Sequence, residues 1–173
     1  MDLPTTRLSL FIDRWTRKLA EACSWIWLAL LIVIVGNVVL RYAFGEGRVE
    51  LEEIQWHFYS LGFLIGLSYA YTADRHIRVD VLRERFSSRF TAWIELYGTI
   101  FLLLPFILLV VFYAIPFVIA SIDLAERSQA PGGLPYRWAI KAALPLGFLL
   151  LLASTLARLS RVWCYLFFAK GDS

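Results

Sequence analysis

The stretch Glu52–Leu82, EEIQWHFYSLGFLIGLSYAYTADRHIRVDVL, decides how the rest of the chain is read. It opens on two carboxylates, runs without a formal charge from Ile54 to Ala73, and closes in a dense polar cluster. A helix rising ~1.5 Å per residue from Glu53 to Asp74 covers about 30 Å, the hydrocarbon thickness of a bilayer. The spacing therefore predicts a membrane-spanning helix with charged ends. Within it Gly62, Gly66 and Ala70 fall on every fourth residue and leave one face without bulk, so that a neighbouring helix can approach closely.

Outward from this stretch the same pattern repeats. Charge-free runs cover Ala22–Leu40, Leu96–Ile122 and Ala142–Ala157. A chain of 173 residues that is 60% apolar, with a mean hydropathy of +0.65, is too apolar for an ordinary soluble domain of this size. The expectation is an all-α integral membrane protein. It has four transmembrane helices over 22–44, 53–73, 93–122 and 138–158, an interfacial amphipathic helix over 7–21, a helical connection over 80–92, a longer connection over 123–137 and a tail over 159–173. The first apolar run is too long for a signal-peptide core, and Arg41, Tyr42 and Phe44 follow where small cleavage-site residues would sit, so it reads as an uncleaved span.

Orientation follows from Lys and Arg. Twelve of the 17 flank the N-terminus, the second connection and the C-terminus, and five flank the other two connections. The positive-inside rule then places both termini in the cytoplasm. Because topology accounts for these basic residues, the net charge of +3 does not point to nucleic acid. Cys23 and Cys164 both fall toward the cytoplasmic side, where a structural disulfide is not expected.

On a helical wheel Leu8, Phe11, Ile12, Trp15 and Leu19 share one arc, with Arg7, Asp13, Arg14, Arg17, Lys18 and Glu21 opposite. This reads as a helix on the anionic inner leaflet, with Phe11, Arg14, Trp15, Arg17, Lys18 and Trp25 touching lipid; the alternative is a longer first span. Asn37 is the one strongly polar residue inside the first run, a candidate for interhelical hydrogen bonding or for a site. Arg41 lies on the same helix face four residues on and emerges at the level where Glu52 and Glu53 enter the next helix. It pairs with one of them, or all three are solvated charges of little energetic consequence. Pro105 and Pro116, nearly three turns apart, mark bends in the third run. Lys141 and Arg158 stand where they can snorkel from either end of the fourth.

Enzymatic and exporter chemistry lack their residues. His57 and His76 sit at opposite ends of one run, so neither a metal site nor a bis-histidine haem site can be assembled, and no cofactor is expected. Neither outer connection carries the cysteines of a thiol oxidase. None of the four runs contains the embedded carboxylate of a small exporter. A homo-oligomeric channel lined by Asn37, Ser60, Ser68 and Thr72 remains the competing reading.

Taken in order, NVVLRYAFG (37–45), VELEEIQ (49–55), DRHIRVDVL (74–82) and LPYRWAIKAALPLGF (134–148) resemble the small membrane subunit, the DctQ-type family, of tripartite ATP-independent periplasmic (TRAP) transporters. The resemblance covers nearly the whole chain except the outer half of the third connection. It implies a non-enzymatic protein of the bacterial inner membrane, bound stably to a large transport subunit, served by a periplasmic substrate-binding protein and bathed in phospholipid. Uptake would be of small carboxylates, driven by an ion gradient. The family pattern maps to Asn37, Arg41, Tyr42, Glu52, Glu53, His76, Arg78 and Asp80, expected together with Gly62, Gly66 and Ala70 to form packing and partner contacts.

Overall fold

A computed structural model describes residues 3–74 and 86–168, and all secondary structure among them is helical. Helix α1 runs Arg7–Ala43, α2 Val49–Thr72, α3 Ser88–Gly98, α4 Leu104–Asp123 and α5 Trp138–Phe167. A π-helical turn, Thr99–Leu103, joins α3 directly to α4. Three of these rods are long and apolar enough to cross a membrane: α1, the 36-residue α3–α4 rod and α5. α2, the stretch that first suggested a span, is not among them. Gln55, His57, Tyr59, Ser60, Ser68 and Tyr69 dilute its hydropathy, and it packs between α1 and α5.

The expected division between an interfacial helix ending at 21 and a span beginning at 22 is absent. A capping box closes the helix start, with the Thr6 side chain accepting from Ser9 N–H and the Ser9 hydroxyl from Thr6 N–H. No glycine or proline then interrupts α1 before Gly36. At ~1.5 Å per residue α1 is about 55 Å long, well beyond a ~30 Å hydrocarbon core. The first part of the expected 159–173 tail is helical, since α5 continues through Leu159–Phe167.

Ser87, whose hydroxyl accepts from Phe90 N–H, caps α3. The cap expected at Asp80, and most of the 80–92 connection, lie outside the described residues. At Pro105, where the sequence suggests a bend, the structure has a π-helical turn. Proline has no N–H to give the carbonyl one turn back, and the helix widens ahead of it, with Leu104 N–H bonding to Thr99 O in the π pattern.

α5 is the centre of the molecule, packing against α1, α2, α3 and α4. Its buried positions Ala143, Gly147, Leu151, Ser154, Ala157, Arg158, Val162 and Leu166 recur at three- and four-residue spacing. The most closed apolar core joins Ala92 and Leu96 of α3 to Val162 and Leu166 of α5, with Trp93, Leu159 and Tyr165 packed on it. This core joins the start of α3 to the end of α5, and Leu3, ahead of α1, packs against it. Large apolar side chains of α4, among them Phe106, Leu109 and Phe112, face outward, as lipid contact requires.

Candidate functional site

The short link between α1 and α2 turns at Gly45, whose φ of +70° suits glycine, and makes the two helices neighbours. Asn37, Arg41, Tyr42 and Glu52, drawn from two segments of the sequence pattern, then line one groove of about 310 Å³. Arg41 Nη2 donates to Glu52 Oε1, so Glu52 rather than Glu53 is its partner. Both side chains are substantially exposed, 51% and 38%, which limits the pair to about 0–1 kcal/mol of stability. Asn37 is different: only 6% exposed, it keeps a side-chain oxygen with no hydrogen-bond partner.

Glu53 serves the long connection instead. Its carboxylate accepts from Leu134 N–H at 2.7 Å and from the Ser128 hydroxyl. The connection is knitted further by Ser128 N–H to Leu134 O at 3.2 Å and Arg137 N–H to Glu126 O at 3.1 Å. A Cβ on Gly133 would collide with Ser128 and stand 2.9 Å from Glu53 Oε1, so only glycine fits there. Glu126 accepts from Lys141 Nζ and lies 3.8 Å from Arg137. The Lys141 hydrogen bond, with further help from the charge of Arg137, holds the Glu126 carboxyl below its usual range. The 124–137 segment is thus a strap fastened over the start of α2. Lys141 does not extend freely away from the bundle; its ammonium stands 4.0 Å from the Phe117 ring centre.

At the opposite end Arg158 corrects the expectation of a snorkelling residue. Its side chain is 6% exposed and turned inward, with Nε donating to Glu95 of α3 and Nη1 lying 2.8 Å from Asp74 Oδ1. Its guanidinium also stands 5.7 Å from the Tyr71 ring centre. Asp74 is held just past the C-terminus of α2 with φ of +56°, the left-handed conformation common where helices stop. One cation therefore ties α2, α3 and α5 together. Alongside, Arg161 pairs with Asp13 at 3.3 Å and Thr6 with Ser160 at 2.8 Å, so the N-terminal half of α1 meets α5 through its polar face. Leu8, Phe11, Trp15 and Leu19 are left outward, flanked by the exposed Arg7, Arg14, Arg17 and Lys18. Trp25 is also outward.

The small-residue face of α2 divides. Gly62 is buried, with the Trp27 ring 3.0 Å from where its Cβ would be. Gly66 meets nothing within 4 Å, and Ala70 is half-buried. The closest helix approach uses other residues: Ser68 Oγ donates to Gly147 O at 3.3 Å, and a Cβ on Gly147 would lie 2.6 Å from Leu64 Cβ. Ala143 and Gly147, four apart and both buried, are a small-residue signature that could have been read from the sequence. His57 bonds within its own helix, Nδ1 to Glu53 O at 2.6 Å, rather than across to another. His76, Arg78 and Asp80 lie outside the described residues. Arg158 and Glu95 carried no comparable signal, since each stands at the edge of an apolar run where a flanking charge is ordinary.

Among the described residues no group of three or more His, Cys, Asp or Glu side chains is arranged to hold a metal. What these ends offer is charge fixed at two levels of a helical bundle and open apolar flanks between them. No curated protein matches the chain. The family model for tripartite ATP-independent periplasmic transporters, DctQ component, matches residues 30–165, from the middle of α1 almost to the end of α5, and the chain therefore belongs to the DctQ family of TRAP-transporter small components.

Proposed function

We propose that this chain is the accessory membrane subunit that scaffolds the large transport subunit of a TRAP transporter in the bacterial inner membrane. The complex takes up a small carboxylate, delivered by a periplasmic binding protein, and draws on an ion gradient. The observation that carries the reading is the family match over residues 30–165. The placement of charge supports it: the stretch between Glu95 and Asp123 has no ionisable side chain other than Tyr97 and Tyr113, which suits a wall rather than an ion path.

In this reading α2 is the fourth span. Its 24 residues extend about 36 Å at ~1.5 Å per residue, and its modest hydropathy is acceptable because α1 and α5 cover two of its sides. Both termini are cytoplasmic. The Arg158 end, with Phe11, Arg14, Trp15, Arg17, Lys18 and Trp25, sits at the inner leaflet, and the strap faces the periplasm. The large subunit contacts the open part of the α1–α2 face around Gly66 and Ala70, with the 76–80 segment as a further contact.

The test is affinity purification of the tagged chain from membranes in mild detergent, with mass identification of what accompanies it. A large polytopic partner in equal amount is the expected result. Recovery of the chain alone or as a homo-oligomer would favour an independent channel.

A further inference from the structure

The groove between α1 and α2 at the Arg41 end is graded in polarity along its length. Ile34 and Val38 form its wall toward the middle of α1, Tyr42 and Trp56 flank it with aromatic rings, and Arg41, Glu52 and Gln55 form its mouth at the helix ends. An occupant must therefore be amphiphilic, with its polar part at the level of the ion pair. The mouth carries one cation and one anion, already bonded to each other and half open to the surroundings. A site with no net charge gains nothing from a net anion, but it can meet a ligand that carries both signs. Glu52 uses Oε1 toward Arg41, which leaves Oε2 as an acceptor, and Arg41 keeps further N–H donors for a phosphate.

Asn37 sharpens the chemistry. It lines the same groove, is 6% exposed and has an unpartnered side-chain oxygen, which is costly for a buried polar atom. The missing partner is a donor. A quaternary ammonium has no N–H to give, whereas a primary ammonium has three. The volume, about 310 Å³, is at the lower end of ordinary ligand sites, ~300–1,000 Å³, and suits a headgroup with the start of one chain rather than a whole helix.

We propose that this groove is a binding site for a zwitterionic phospholipid with a primary amine: the phosphate lies at Arg41, the ammonium between Glu52 and the Asn37 amide, and an acyl chain along Val38 and Ile34. The proposal does not depend on the chain's having a protein partner. It requires only that this end of α1 reach a membrane surface.

Native mass spectrometry of the full chain in mild detergent, titrated with phosphatidylethanolamine, phosphatidylcholine and phosphatidylglycerol of identical acyl chains, tests it. At least ten-fold preference for phosphatidylethanolamine over each of the others is expected. Asn37→Leu and Glu52→Gln should each abolish the preference, and Gly36→Ala, on the same helix with nothing within 4 Å of the added carbon, should retain it. Glu52→Gln preserves the size of a partly exposed side chain, so it stays informative if Asn37→Leu does not fold. Equal binding of the ethanolamine and choline lipids, stronger binding of phosphatidylglycerol, or a preference that survives Glu52→Gln would overturn the assignment.

Discussion

Gly147 of α5 and Leu64 of α2 are so close that a Cβ on Gly147 would stand 2.6 Å from the Cβ of Leu64. Neither atom is the end of a flexible side chain, so an added methyl can be accommodated only by moving one helix. Ser68, which donates to the Gly147 carbonyl at 3.3 Å, would move with it. Gly147→Ala is therefore expected to destabilise the chain by about 1–3 kcal/mol, the usual cost of overpacking, despite alanine's better helix propensity. Thermal unfolding in detergent measures this, and an unchanged or raised midpoint would show that the crossing is looser than the geometry says.

Gly66 should behave in the opposite way. Nothing lies within 4 Å of an added Cβ there, so Gly66→Leu should leave the isolated chain's unfolding midpoint within a degree or two. If this face receives the large subunit, the same substitution should reduce its co-purification several-fold. Normal assembly and transport with Gly66→Leu would assign the face to lipid.

Replacing Arg158, itself buried, removes the cation shared by the Glu95 and Asp74 carboxylates, whose side chains are 15% and 46% exposed. Breaking a buried ion pair from one side costs about 3–5 kcal/mol, so Arg158→Met should lower stability strongly. Replacing both Arg158 and Glu95 by apolar residues of similar size should recover much of the loss. A double-mutant cycle with no coupling between these positions would contradict their placement.

The strap should respond to acid. Because Glu126 is held below its ordinary value of 4.5 by Lys141, its contribution is fully present above that value and disappears as pH falls through the lowered one. The protection of amides across 125–137, with exchange corrected for the intrinsic effect of pH, should therefore fall on acidification below about pH 4.5. Glu126→Gln should show fast exchange already at neutral pH, with a weaker dependence on acid. Identical acid profiles for the two proteins would mean that other carboxylates govern the strap.

The helical class and the placing of Asn37 and Arg41 on one face near the Glu52–Glu53 pair were legible because both depend on local spacing, whereas Tyr42 joined them only through the family resemblance. Apolar runs set the rods, and a four-residue interval plus a short turn brings Arg41 to Glu52. Long-range choices were not legible. Glu53 differs from Glu52 by one position, yet a rotation of ~100° on the helix sends it to Ser128 and Leu134 instead of Arg41. Arg158 reads as a flanking charge until the fold brings Glu95 and Asp74 to it. The expected break at residue 21 failed for a related reason: an amphipathic wheel shows which face is apolar but not whether its polar face meets water or, as with Asp13 and Arg161, another helix.

The π turn at Thr99–Leu103 amounts to an insertion carried within one helix. One additional residue in a turn rotates everything beyond it by ~100° relative to an uninterrupted α-helix. Glu95, before the turn, faces Arg158, while Ile107 and Ala114, beyond it, are buried on the α4 side that packs against the other half of α5. Were the same sequence wound as an unbroken α-helix, these two faces would not align on the same neighbour. Deleting a single residue between 99 and 103 would thus close the turn into plain α-helix and keep every downstream side chain on its present face, whereas the same deletion elsewhere in the rod would turn them all away by ~100°.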